Sequence, residues 1–300
     1  MTLDREDIGE LPNPLGLLGI EFIEYTTSRP QALGQVLERL GFVPVARHRS
    51  REVLLYRQGD INIIVNAHQG GLSGQPAPTE QPVIAAVALR VRDAARAYRR
   101  VLDLGAWAVP TQVEVMELNI PAIHGVGSSR IYFVDRHREF SIYDVDFVPI
   151  PGVDPRPAAQ HGLHVFGVVQ YIGLDRMADW SAFYGELLGF VELPAEQRFG
   201  VMTKGAILAS PCGQFHWQLI EPEPDAADFA HDELLQRVAF GCTDVPVAVA
   251  AMKDAGVAFV EKPGGVHTDT RGALTQPLLG ELVFELVHDP RGEAAGVAGA

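Results

Sequence analysis

Cysteine is scarce in this chain: 300 residues carry only Cys212 and Cys242. Two thiols cannot form a disulfide framework, so any stable fold must rest on an apolar core, and a reducing, cytoplasmic setting is the expectation. Basic residues are also in deficit, with 24 Lys and Arg against 38 Asp and Glu, a net charge of -14 and a pI near 5.1. That balance excludes a protein whose main task is neutralising nucleic-acid phosphates. No apolar run approaches the roughly 18 residues a membrane helix needs. The segment Met1 to Glu10 holds four acidic residues and no basic stretch followed by an apolar one, so it does not read as a secretory signal. What is present is ordinary globular material: 47% hydrophobic, 21% charged, mean hydropathy +0.07. The length suggests about two domains of roughly 150 residues.

The two halves echo each other. Strand-like Gly19 to Thr26 leads into helix-like Pro30 to Leu40 and then Leu40-Gly41-Phe42-Val43. Strand-like Val165 to Ile172 leads into Arg176 to Leu188 and then Leu188-Gly189-Phe190-Val191, an offset of 148 residues. Further on, Val87-Ala88-Leu89, Asp93 and Gly105 match Val238-Ala239-Phe240, Asp244 and Gly256 at an offset of 151. Repetition of this kind identifies a duplicated supersecondary unit. Ser28 before Pro30 and Asp244 before Pro246 are expected helix starts, and Gly105 and Gly256 expected helix ends. Alternating runs predict strands at Val53 to Tyr56, Ile61 to Val65, Ile131 to Val134, Ser141 to Phe147, Gln214 to Ile220 and Leu282 to His288. The proline-rich Val148 to Gln160 reads as the linker, which divides the chain into residues 1–150 and 151–300.

Certain blocks carry a family likeness. Phe22-Ile23-Glu24-Tyr25, Ile131-Tyr132-Phe133-Val134-Asp135-Arg136 and Ser141-Ile142-Tyr143-Asp144 lie in the first half; Arg176-Met177, Ser210-Pro211-Cys212-Gly213, Val238-Ala239-Phe240 and Val283-Phe284-Glu285 lie in the second. From about Gly16 to His288 the chain resembles the vicinal oxygen chelate (glyoxalase/bleomycin resistance/dioxygenase) superfamily. Within it, the likeness is to bacterial 4-hydroxyphenylpyruvate dioxygenases and 3-dehydroshikimate dehydratases. The resemblance implies an α+β fold of two tandem domains, each of paired βαβββ modules forming a half-open barrel. It further implies a structural N-terminal domain and a C-terminal domain with the pocket.

In that family two histidines and a glutamate hold a divalent metal, a facial triad suited to non-haem iron(II). Glu285 matches the glutamate. The two histidine positions fall on Gly167 and Arg237, neither of which has a lone pair to offer a metal. His164 is near, but three residues along a strand it faces the opposite side. Glu285 is thus the one matching ligand, and the leading expectation is no cofactor, with Fe(II) or another divalent metal as the alternative. By alternation His216, Gln218 and Ile220 share a face that the resemblance places in the pocket. The expected ligand is a small anionic metabolite, aromatic or cyclic, held by Arg237, Gln218 and Ile220, with Glu285 and His216 as catalytic acid and base in metal-independent chemistry. Two alternatives stand beside this: an iron(II)-dependent 4-hydroxyphenylpyruvate-type dioxygenase or metal-dependent dehydratase, and a non-catalytic small-molecule binding protein. A homodimer is expected, with neither nucleic acid nor membrane as partner. Asp144 and Asp146 read as sharing a strand face with a structural role.

Overall fold

The computed structural model describes residues 12–68, 78–110, 118–138, 140–197, 205–222, 233–261 and 272–291. The acidic opening residues and those beyond Arg291 lie outside them. In the first half the elements are β1 (Leu17–Thr26), α1 (Pro30–Arg39), β2 (Val43–His48), β3 (Val53–Gln58), β4 (Ile61–Asn66), β5 (Val83–Val91), α2 (Ala94–Asp103), β6 (Ala122–His124), β7 (Arg130–Val134), α3 (Ile142–Asp146) and β8 (Phe147–Pro149). The second half runs β9 (His164–Tyr171), α4 (Met177–Ala182), β10 (Val191–Glu192), β11 (Ala206–Ala209), β12 (His216–Ile220), β13 (Leu234–Cys242), α5 (Val245–Asp254), β14 (Gly272–Leu274) and β15 (Val283–His288).

Each half builds one open, curved sheet from two modules. The eight-stranded sheet has the order β6-β7-β5-β1-β4-β3-β2-β8 and the seven-stranded sheet β10-β11-β12-β9-β13-β15-β14. Within each module the first strand pairs in parallel with the last, β1 with β4, β5 with β7, β9 with β12 and β13 with β15. The two modules of a half join back to back through antiparallel pairs β1·β5 and β9·β13. In the second module of each half, the strand position after the helix is reduced to the single bridges Ala108↔Ile123 and Phe259↔Thr275, whose partners are 151 and 152 residues apart. This is a mixed α+β architecture of two tandem half-open barrels, in agreement with the expected fold class.

Local chemistry explains the element ends. Asp93 and Asp244 accept hydrogen bonds from Arg96 N (2.8 Å) and Val247 N (3.0 Å), satisfying helix-start donors. Gly105 and Gly256, at φ 95° and 88°, close those helices in the left-handed region. Ser28 does not cap α1; Arg29 occupies that position and Thr27 Oγ1 accepts from its N–H at 3.0 Å. The larger correction is at Ser141 to Phe147, expected as a strand. It forms the short helix α3, started by a capping box in which the Asp144 carboxylate accepts from Ser141 N at 2.7 Å. Asp144 and Asp146 therefore do not share a strand face. The expected linker begins as β8, which pairs with β2.

One apolar core runs through both halves, joining Ile23, Tyr25 and Leu37 to Trp217, Phe240 and Phe284. Phe42 meets Phe240 with ring centroids 5.7 Å apart, and Tyr25 meets Phe284 at 6.2 Å. Both cysteines are unbridged. Among the described residues no helix is long and apolar enough to cross a membrane.

Candidate functional site

The second sheet brings four strands together at the candidate site. Gly167 on β9 lies opposite Ala239 on β13, Ala239 lies beside Glu285 on β15, and Gly167 lies beside His216 on β12. Side chains in such a row share a face, so Glu285 and His216 converge on the concave side. Two residues before Ala239, Arg237 shares that face, about 7 Å along the strand. Its long side chain spans the interval: Arg237 Nε donates to Glu285 Oε2 at 2.8 Å. The two residues are 1% and 2% exposed, so the ion pair is fully withdrawn from water. Arg237 Nη1 donates to Gln236 Oε1 at 2.8 Å, while Nη2 is buried without a hydrogen-bond partner.

A cavity of about 20 Å³ sits beside this pair, lined in part by Phe166, Gly167, His216, Gln218, Ala239 and Glu285. Of the residues expected at the site, Glu285, His216 and Gln218 reach it directly. Arg237 does not line it and touches the lining through its bond to Glu285. Ile220 is buried at the far end of β12, outside the lining, where its carbonyl accepts from Ile172 N at 3.0 Å. Alternation along β12 could not show that the strand runs past the cavity before it reaches Ile220. His216 stacks on Phe166 with centroids 4.7 Å apart.

Gly167 does more than lack a donor. A Cβ at this position would fall 2.6 Å from the carbonyl oxygen of His216, because β12 crosses close against β9. The place where the resemblance puts a histidine is filled by backbone. Against the divalent-metal site that the resemblance implies, the donor set does not fit: in place of two histidines and a carboxylate it offers the His216 imidazole and one carboxylate with an oxygen already engaged by a guanidinium. Among the described residues no three His, Cys, Asp or Glu side chains are grouped to share an ion.

His164 does not follow simple alternation: β9 carries a bulge, with Gly167 opposite Ala239 but Val165 opposite Phe240 and His164 opposite Gly241, so the register slips and the His164 ring covers Gly241 on the face that Ala239 shares. Nδ1 of His164 lies 3.0 Å from Gly162 O and its Nε2 3.1 Å from Asp289 Oδ2. Asp289 is completely buried and also accepts from Arg291 Nη2 (2.6 Å) and Nε (2.8 Å). The sequence reading missed this cluster, although an acid directly after the last strand with Arg291 two residues on is a signal for it. Burial opposes ionisation of Asp289, but the hydrogen bonds from His164 and Arg291 outweigh it and hold the carboxyl well below the usual carboxylate range. A depressed folded-state pKa stabilises the fold above the ordinary carboxylate range, and this is lost as pH falls below it. Asp289→Asn should therefore lower the urea midpoint at pH 7, and the gap to wild type should narrow as the pH is brought down to about 3. An undiminished gap at low pH would assign the effect to packing.

Comparison with known proteins places these features in a family. The pattern described as "Hydroxyphenylpyruvate dioxygenase, HPPD, N-terminal" matches residues 11–148, and that of the "Glyoxalase/Bleomycin resistance protein/Dioxygenase superfamily" matches residues 155–294. A 4-hydroxyphenylpyruvate dioxygenase of Pseudomonas sp. (strain P.J. 874) is 36% identical over 287 residues, covering 91% of this chain and 79% of that protein. A 3-dehydroshikimate dehydratase of Pseudomonas aeruginosa is 34% identical over 288 residues, 91% of this chain and 45% of that protein. Among solved structures, a mutant 4-hydroxymandelate synthase from Streptomyces coelicolor superposes with a TM-score of 0.71 at 17% identity, covering 91% of this chain and 93% of that one, a likeness of fold. The chain belongs to the 4-hydroxyphenylpyruvate dioxygenase family of the glyoxalase/bleomycin resistance/dioxygenase superfamily.

Proposed function

We propose that this chain uses the dioxygenase scaffold without its metal, as an acid-base enzyme acting on a small anionic, aromatic or cyclic metabolite in the C-terminal half-barrel. The observation that carries this reading is the buried Arg237–Glu285 pair. Where a dioxygenase of this scaffold needs a cation held by three protein ligands, the guanidinium supplies a fixed positive charge, and Glu285 Oε2 is committed to it. Arg237 Nη2 is a buried donor without a partner, and since Arg237 stands outside the cavity lining its charge reaches a ligand across the Glu285 carboxylate and not by a direct bond. The cavity has room for little more than one water-sized group. A ligand therefore enters with its oxo or carboxylate oxygen first, and its body lies toward the half-buried His216 and the Phe166 ring on which it stacks.

In this reading Gln218 orients the ligand, Ile220 backs the strand that carries His216 and Gln218, and Glu285 and His216 handle the proton. Removing a proton next to a carbonyl needs a base at the carbon, and loss of a β-hydroxyl needs in addition an acid that protonates the departing oxygen, a syn elimination being open to two groups on one face. The first domain buttresses the second through the shared core. Relatives of this chain are named for 4-hydroxyphenylpyruvate and 3-dehydroshikimate, and these two are the first probes.

The test is calorimetric titration of both compounds into chelator-treated protein. One of them is expected to bind without added metal. The double variant Arg237→Met/Glu285→Leu should remain folded and weaken that binding at least about tenfold, while His164→Ala leaves it within about threefold. Binding that appears only after iron(II) is supplied would overturn the proposal in favour of a metal-dependent dioxygenase or dehydratase. Binding without turnover would make the chain a binding protein.

A further inference from the structure

The first half holds a polar cavity that this reading does not use. Its volume is about 160 Å³, and it lies on the concave side of the eight-stranded sheet. Across three neighbouring strands Glu24, Ala86 and Arg130 stand in one row, so two long charged side chains face each other over a residue that is nearly all backbone. Glu24 is 8% exposed and Arg130 2%. The Glu24 carboxylate accepts from Asn66 Nδ2 at 2.8 Å, and Arg130 Nη1 donates to the Tyr132 hydroxyl at 3.4 Å. The remaining walls include Phe22, Ile64 and the Tyr132 ring. Buried opposite charges normally neutralise each other by direct contact. Here each is held instead by a neutral neighbour, with open volume beside them.

We propose that this cavity is a second small-molecule site, taking an uncharged six-membered-ring compound with a hydroxyl that donates to Glu24 and accepts from Arg130. The volume is close to the roughly 150 Å³ known to hold one benzene ring. The lining also includes Arg51 and Asp146, so two carboxylates and two guanidinium groups sum to zero; a ligand carboxylate that reached Arg130 would be repelled by Glu24, whereas a hydroxyl serves both. Burial raises the Glu24 pKa against the lowering effects of Asn66, Arg130 and Arg51, which marks the carboxylate as a group kept in place at a cost to stability. This goes beyond the buttressing role given to the first domain and is independent of the C-terminal reading.

Phenol and cyclohexanol, with benzene and benzoate as comparators, are titrated into the full chain by ligand-observed NMR and calorimetry. Phenol and cyclohexanol should bind one per chain with Kd on the order of 0.1–1 mM. Benzene should bind at least about fivefold more weakly, for want of the hydroxyl, and benzoate more weakly than phenol. Glu24→Gln should weaken phenol about tenfold while leaving the thermal midpoint unchanged or higher, a combination that a merely structural carboxylate would not give. Ala122→Met, which fills the cavity from its wall, should abolish binding. No binding of either alcohol, phenol binding unchanged in Glu24→Gln, or benzoate binding tighter than phenol would each overturn the proposal.

Discussion

Arg237→Met is expected to destabilise the fold by about 3–5 kcal/mol, because it leaves the Glu285 carboxylate buried at 2% exposure without the guanidinium charge that offsets its own. Glu285→Leu should cost a similar amount from the other side, stranding a guanidinium whose Nη2 already lacks a partner. The double variant Arg237→Met/Glu285→Leu should regain most of the loss, since replacing a buried pair with apolar residues of similar size is commonly close to neutral. Chemical denaturation of the three proteins measures the coupling directly. A loss below about 1 kcal/mol for Arg237→Met would place the pair in the class of solvated surface bridges. The same series separates folding from function, because the double variant keeps the fold while removing the site.

Gly167→His, the change that would restore one family ligand position, is expected to fail as a rescue. Its Cβ would lie 2.6 Å from His216 O, a backbone atom of the paired strand β12 that cannot swing aside. Even Gly167→Ala should cost about 1–3 kcal/mol, the range for overpacking, although exchanging glycine for alanine ordinarily favours a strand. Gly185→Ala is the contrasting case: a Cβ there would meet Phe190 O at an ordinary 3.6 Å, and the change should be neutral or mildly stabilising. Thermal unfolding of the alanine variants decides the matter. A Gly167→Ala protein as stable as wild type would mean that β9 and β12 can part, and that a larger side chain is accommodated there.

The duplication was legible because two separate sets of residues repeat at nearly one spacing, and hydrophobic alternation then located most strands. Gly167, Arg237 and Glu285 came to notice only through the family resemblance. Period alone would have left Arg237 as one polar residue in an apolar strand. That Arg237 reaches Glu285 depends on the register between β13 and β15, in which Glu285 sits opposite Ala239 and two residues beyond Arg237. Such a register is a property of paired strands and cannot be read from either one. The helix α3 was missed because seven residues with mixed burial fit a short strand and a short helix equally well; Ser141 followed by Asp144 was the overlooked sign. Glu24 stood in view within an apolar strand, but its significance came from Arg130 two strands away.

The central claim is that an ion pair, and no metal, organises the C-terminal site. Its most direct test is anaerobic titration of iron(II) into chelator-treated protein, followed by desalting and elemental analysis of wild type and Glu285→Ala. The account predicts that neither protein retains stoichiometric iron. One iron per chain in wild type, lost in Glu285→Ala, would contradict it and return the site to metal-dependent chemistry.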